Sequence, residues 1–336
     1  MARDGENKNG MNDRSAGANS NSNTLTVLVL RGGPSAEREV SIASGKAVAA
    51  ALRNAGHAVI EADIAPDDLS ALDDHQFDVV FPVLHGTFGE DGQLQEILEK
   101  RKITFAGSDS VSSRLAMDKF EAKAAFLQAG LYTAESVLIP ALNENPDSPR
   151  KREPEIKAAL EQIGIPCVVK PNCQGSSVGV VIVQYEEEAR QTIMSSLAQY
   201  GDCLIERFIA GRELTVGILA GRALPVLEIR PKQLFYDYQA KYLDDSTEYL
   251  FEMGLDEGFL QNLQADAEKV FAVLGCRDFG RVDFLTDSQE RACLLEVNTI
   301  PGFTDHSLLP KAAGREGMDM AQLCDKIVRM AWQRSI

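Results

Sequence analysis

The chain has 336 residues, 44% hydrophobic and 25% charged, which suffices for two or three domains with real cores. Its formal charge of −16 excludes a nucleic-acid or anionic-membrane surface, so any phosphate site must gather Lys, Arg and metal locally against an acidic background. Six cysteines without ligand spacing, no apolar run near the ~18 residues of a membrane span, and no apolar signal core predict a cytoplasmic protein with buried free thiols.

Residues 1–24, rich in Asn, Gly and Ser, have almost nothing to bury and are expected to be disordered. Folding starts at the strand Leu25–Leu30, followed by the Gly-rich turn from Arg31 and a helix over about Ser41–Arg53, the opening of an α/β unit. Val59 and Ile60 suggest a second strand and Val79–Leu84 a third, ending at His85-Gly86. Gly89-Glu90-Asp91-Gly92 leads into a helix with Leu94, Ile97 and Leu98 on one face, and Ile103–Ala106 is expected to close a parallel sheet.

A helix from Met117-Asp118-Lys119 to Ala129 opens the next segment, and the polar stretch Asn143–Pro154 reads as a surface excursion. The strands Cys167–Pro171 and Val180–Val183 flank a turn containing Gly175, Ser176, Ser177 and Gly179. Its backbone N–H groups and hydroxyls suit a phosphate. Strands at Cys203–Ile209, Glu213–Leu219 and Ala223–Ile229 follow, then a mixed aromatic and charged loop, Pro231–Tyr249. Leu260, Leu263, Ala267, Val270, Phe271 and Leu274 have the spacing of an amphipathic helix over Asp256–Leu274, and Met318–Trp332 is a terminal helix.

The most informative stretch, Asp278–Leu309, reads as two strands joined by a polar turn, Thr286 to Arg291, then a loop with Pro301 and Gly302. Alternation puts Arg281 with Asp283, and Glu296 with Asn298, while Cys293, Leu295 and Val297 take the opposite face. Facing side chains of an antiparallel pair lie about 5 Å apart, close enough for one ion to bridge. Asp, Glu and Asn are the hard oxygen donors that hold Mg²⁺ against a substrate phosphate. A surface hairpin with scattered charges is the competing reading. The chain lacks G-x-G-x-x-G, the G-x-x-x-x-G-K-[ST] phosphate loop and any zinc spacing of histidines.

Nine segments occur in a recognisable order. They are G-G-P-S-A-E-R-E-V-S at 32–41, L-H-G at 84–86, G-E-D-G at 89–92, M-D-K at 117–119 and V-K-P-N-C-Q-G-S-S-V-G at 169–179. E-R-F-I-A-G-R-E-L-T-V at 206–216, F-Y-D-Y-Q-A-K-Y at 235–242, G-R-V-D-F at 280–284 and L-L-E-V-N-T-I-P-G-F-T-D-H-S-L at 294–308 complete the set. Over residues 25–335 the chain resembles the D-alanine–D-alanine ligase family of ATP-grasp enzymes.

The resemblance implies an α/β (α+β) ATP-grasp fold with an N-terminal, Rossmann-like parallel-sheet domain over 25–107. A central subdomain over 108–206 and a C-terminal subdomain over 207–336 would follow. It implies D-alanine and ATP as substrates, two Mg²⁺ ions replaceable by Mn²⁺, and a homodimer. Lys119, Lys170 and Lys241 would contact the ATP phosphates. Glu206 and the backbone through Phe208 and Ile209 would hold the adenine edge, Glu213 the ribose, and Phe235, Phe284 and Leu295 the adenine faces. Asp283, Glu296 and Asn298 would bind the metal ions.

On the substrate side, Glu37 would meet the ammonium of the first D-alanine and join Ser176 and Tyr242 in a hydrogen-bonded set, with His85 nearby. Arg281 and the Gly302 N–H would stabilise the oxyanion, and Ser307 with the Leu308 backbone would hold the second substrate's carboxylate. The implied reaction runs through an acyl phosphate, and no protein nucleophile is required. Siblings that join D-alanine to D-lactate or D-serine are the near alternative, against which Lys241-Tyr242 speaks. A non-catalytic nucleotide-binding relative is the remote one. Departures from the family pattern are Cys173 and Gln174 in the variable part of the turn, Glu252-Met253 where Pro-Ala is frequent, and Phe303 where Met is common.

Overall fold

The computed structural model describes residues 24–73, 76–141, 152–230, 247–287, 289–304 and 306–335. The tail over 1–23, most of the 143–154 excursion, and Phe235, Lys241 and Tyr242 lie outside the described residues.

The first sheet is built from β1 (Thr26–Arg31), β2 (Ala58–Asp63) and β3 (Val79–Pro82), all parallel in the order β2-β1-β3. A central parallel strand is buried on both faces, so β1 reads as an unbroken apolar run. Val27 and Val29 point to one side, where α1 (Arg38–Asn54) supplies Val48 and Leu52. Leu28 and Leu30 point to the other, toward Leu94 and Leu98 of α2 (Gln93–Lys100). Helix α1 comes close to β1 because position 45 is glycine; a Cβ there would stand 2.8 Å from the Arg31 side chain. The segment Ile103–Ala106 makes a single parallel bridge, Val80 to Phe105, rather than a fourth strand. Gly107, at φ 97°, turns the chain away directly after it.

The expected helix appears as α4 (Lys119–Gln128), preceded by a further short helix, α3 (Ser110–Met117). Asp118 adopts extended dihedrals between them and caps α4, its carboxylate accepting from the Glu121 N–H at 3.0 Å. A second, antiparallel sheet of order β4-β7-β5-β6 comprises β4 (Ser136–Ile139), β5 (Cys167–Pro171), β6 (Val181–Val183) and β7 (Cys203–Arg207). Helices α5 (Glu153–Ile163) and α6 (Glu186–Tyr200) close its core through Ile156, Leu160, Ala189 and Ile193.

The third sheet has the order β11-β10-β8-β12-β13, with β9 (Arg222–Ala223) beside β8. It contains β8 (Glu213–Leu219), β10 (Leu227–Arg230), β11 (Glu248–Leu250), β12 (Phe279–Thr286) and β13 (Ala292–Asn298). Helix α7 (Glu257–Val273) covers one face, and Ala116, Ala122 and Phe126 of α3 and α4 join the same core. Short helix α8 (Leu308–Arg315) packs on β8, where Gly217 admits the Leu309 side chain. Helix α9 (Met320–Ser335) returns to the first sheet, adding Leu323, Ile327 and Val328 to the core of β1 and α1.

Four of the six cysteines (Cys167, Cys203, Cys293 and Cys324) are buried and Cys173 is exposed; all six are free thiols. Among the described residues no helix is long and apolar enough to cross a membrane.

Three fully buried rings knit the first and third sheets. Phe81 on β3 lies 5.7 Å from Phe279 on β12, and Phe303 makes edge-on contacts at 5.4 Å with both. Edge-to-face rings add to their area burial, which suits phenylalanine at 303. Phe279→Ala should cost about 3–5 kcal/mol of stability, read by urea unfolding followed by tryptophan fluorescence and circular dichroism. A loss below about 1 kcal/mol would mean that the ring cluster does not join the two sheets.

Candidate active site

Two clefts open side by side between the sheets, and Lys119 and Glu296 line both. The larger, about 1740 Å³, runs along Lys170, Ser177, Glu206, Phe208, Ile209 and Glu213. The smaller, about 870 Å³, is walled by Glu37, His85, Ser176, Arg281, Gly302 and Ser307.

The β12–β13 pair forms the floor. Arg281 pairs with Asn298 and Asp283 with Glu296, so all four polar side chains share one neighbourhood. Arg281 donates through Nε and Nη2 to the two oxygens of Asp283 at 2.9 and 2.8 Å, and the Thr215 hydroxyl donates to the same carboxylate at 2.7 Å. Asn298, with its amide oriented by its neighbours, accepts from Arg281 at 3.1 Å and donates to Glu90.

The register then shifts between Asp283 and Phe284. Glu296 faces Asp283 but Leu294 faces Phe284, which leaves Leu295 as the extra residue of a bulge. Strict alternation would bury Leu295 with Cys293 and Val297; the bulge instead turns it into the larger cleft beside Glu296. Phe284 corrects the expectation of an adenine wall. It sits on the opposite face of β12, 1% exposed, in the core with Leu214 and Val270. Its neighbour Leu285 lines the cleft.

Asp283, Glu296 and Asn298 offer two carboxylates and an amide. Among the described residues no cluster of three or more His, Cys, Asp or Glu could hold a metal alone. That donor set fits Mg²⁺, which binds through one or two carboxylates and completes its shell with substrate phosphates and water.

Around the larger cleft, Lys119 opens helix α4. Its Nζ donates to the Gln174 carbonyl at 2.6 Å and pairs with Glu296 at 3.4 Å. Lys170 on β5 pairs with Glu206 on β7 at 2.7 Å, and Lys123 pairs with the other Glu206 oxygen at 3.0 Å. Burial opposes the Glu206 charge, but Lys170 and Lys123 outweigh it and hold the carboxyl below the usual range.

The turn between β5 and β6 carries Ser176 and Ser177 at φ 48° and 59°, left-handed conformations that cost about 1 kcal/mol or more each. In return Ser176 faces the smaller cleft and Ser177 the larger. The Ser176 hydroxyl donates to Glu37, which stands at the start of α1 without capping it.

In the smaller cleft, His85 is buried, and desolvation pushes its pKa down. Its Nδ1–H donates to the Ile300 carbonyl at 2.9 Å, so Nε2 faces the Ser44 hydroxyl at 3.4 Å as the acceptor. Ser307 opens α8 and accepts from the Thr304 N–H at 2.9 Å instead of capping its own helix. The first turn of α8 therefore keeps N–H groups for an anion, and Leu308 lines the cleft beside them. Gly302 lets the loop close on Ser307, because a Cβ would stand 2.7 Å from its Oγ.

Two participants escaped the motif reading. Glu90, buried in the smaller cleft, accepts from the Gly86 and Ile300 N–H groups at 3.1 Å each. Desolvation and Glu37 push it up to about 8. Lys123 lies one helical turn beyond Lys119. Both left a trace: Glu90 stands inside G-E-D-G, and an i,i+4 lysine shares the face of its predecessor.

Residues 129–329 match the family described as D-ala D-ala ligase C-terminus, and residues 66–108 that described as D-ala D-ala ligase N-terminus. The chain is 40% identical over 301 residues to the D-alanine--D-alanine ligase of Saccharophagus degradans, covering 90% of this chain and 92% of that one. Among solved structures it is similar to the Bacillus anthracis D-alanine--D-alanine ligase complexed with ATP, at TM-score 0.77 and 28% identity, covering 93% of this chain and 99% of that one. It is also similar to the VanG D-Ala:D-Ser ligase of Enterococcus faecalis, at TM-score 0.78 and 28% identity, covering 92% and 99%.

The strained serine turn depends on its anchor at Glu37. Ser176→Ala should speed amide hydrogen exchange across residues 172–180 by about tenfold while leaving β1 and β8 unchanged. Unaltered exchange in that turn would show that the Glu37 contact does not hold it.

Proposed function

The chain belongs to the D-alanine–D-alanine ligase family of ATP-grasp enzymes, and we propose that its two joined clefts divide the reaction between them. The protein ligates two D-alanine molecules with ATP, releasing ADP and phosphate, to make the dipeptide precursor of peptidoglycan. The larger cleft takes the nucleotide and the smaller one the two amino acids. One observation carries this reading: Lys119 and Glu296 line both clefts, so a phosphoryl group passing between them never leaves charged protein.

On this reading Glu206 and the backbone through Phe208 and Ile209 hold the adenine edge, Leu295 packs on the ring, and Glu213 meets the ribose. Lys119 and Lys170 bring positive charge to the phosphates, which the net charge of −16 would otherwise repel. Asp283, Glu296 and Asn298 hold Mg²⁺, which supplies charge neutralisation for the phosphate oxygens when bound.

Glu37, steadied by Ser176, binds the ammonium of the first D-alanine and aims its carboxylate at the γ-phosphate. Arg281 and the Gly302 N–H face the oxyanion that forms when the second amine attacks the acyl phosphate. Ser307 and the first turn of α8 hold the second substrate's carboxylate, where the helix dipole favours negative charge. The serine turn roofs both clefts and keeps water from the acyl phosphate.

Turnover needs positioning and charge, so removing one metal-site charge should abolish it without unfolding the chain. Glu296→Gln should lower kcat by about 10²–10³ with a near-native melting temperature. Near-normal activity would overturn the metal assignment. The substrate reading is tested by ADP release with D-alanine, D-serine and D-lactate, singly and in pairs, with products identified by mass. D-alanyl-D-alanine is the expected product, and a higher rate with D-lactate than with a second D-alanine near neutral pH would sink it.

A further inference from the structure

Lys123 is only 2% exposed, yet it touches neither cleft. Its ammonium is held by two hydrogen bonds and one ion pair. It meets the Thr133 hydroxyl at 2.6 Å, the Ala134 carbonyl at 3.2 Å and Glu206 at 3.0 Å. The Thr133 hydroxyl passes on to the Leu294 carbonyl at 2.7 Å, directly before the bulge that turns Leu295 and Glu296 into the nucleotide cleft.

Glu206, 3% exposed, thus has one cation on each oxygen. The two cations are not equivalent. Lys170 stands on the cleft wall, within reach of a nucleotide, and Lys123 stands behind it. A phosphate entering the cleft competes with Glu206 for Lys170. Were Lys170 its sole partner, that competition would strand a buried carboxylate, the costliest of the arrangements available to it.

We propose that Lys123 is a positioning residue, the standing counter-ion of Glu206. It keeps that carboxylate ionised and aimed at the purine amino group, and so releases Lys170 to the phosphates. The inference rests on the placement of adenine against Glu206 made above. It assigns the discrimination of adenine from a base lacking the 6-amino group to a residue that never touches the nucleotide.

The test uses the full chain and steady-state ADP release with ATP or inosine triphosphate, which lacks that amino group. Lys123→Gln keeps a polar group at the site but removes the charge. It should raise KM for ATP about ten- to a hundredfold and leave KM for D-alanine unchanged. The preference for ATP over inosine triphosphate should shrink by about tenfold, and Lys123→Arg should restore most of it. In a Glu206→Gln background the same change should add less than about twofold, since no buried carboxylate remains to be held.

Equal rises in both KM values, an unchanged nucleotide preference, or a full effect in the Glu206→Gln background would each overturn the proposal. If Lys123→Gln alone fails to fold, the Lys123→Gln/Glu206→Gln double variant, which removes both charges of that pair, must still match Glu206→Gln. A wild-type enzyme using inosine triphosphate as well as ATP would remove the adenine reading of Glu206 and this proposal with it. The ligase reaction itself would stand.

Discussion

The active site depends on one register, that of β12 against β13. Arg281 faces Asn298 and Asp283 faces Glu296, so a cation, two carboxylates and an amide meet on a single patch of sheet. Strand side chains alternate with period two, and a slip of one residue would send Asp283 into the core and Phe284 into the cleft. Burial on the other face forbids that slip: Val282 and Phe284 pack against α7, and β8 pairs with β12 along its length. Hydrophobic packing on one side thus fixes the chemistry on the other.

Charge is handled by the same economy. On the proposed function an acidic chain has to receive a triphosphate, and lysines already committed to carboxylates would do so. Lys119 rests on Glu296, and Lys170 rests on Glu206. Each pair prepays desolvation in the absence of substrate, so on that reading incoming phosphates would exchange partners instead of ordering loose side chains. Arg281 follows the same pattern with Asp283, gripped in a two-point fork.

Much of this was legible in the residues. Val27–Leu30 announces a buried parallel strand, and Arg281, Asp283, Glu296 and Asn298 announce a shared face because period-two alternation needs no tertiary information. The family resemblance then carried roles to positions that spacing alone leaves mute, such as Glu37 and Ser307. What stayed hidden has physical causes. The bulge at Leu295 is a property of the pair of strands, since neither strand alone shows the extra residue. Phe284 was placed against the base by analogy, yet its parity on β12 had already turned it away. Helix α3 hides because its serine-rich start, Ser110, Ser112 and Ser113, has weak helix propensity. Lys123 hides because a lysine in an amphipathic helix is ordinarily solvated, and only the fold supplies Glu206 and Thr133 around it.

Helix α9 packs on α1 and β3, its Leu323, Ile327 and Val328 entering the core that holds Val27 and Val29 of β1, and Asp325 reaches His57, just before β2, across 2.8 Å. During synthesis the strands of the first sheet leave the ribosome long before the helix that covers them. That apolar face must wait, exposed or shielded by a chaperone, until the far end of the chain emerges. The contact is strongly non-local, 268 residues apart for His57 and Asp325, which predisposes the protein to slow folding. Without that helix the first sheet would keep an unroofed apolar face.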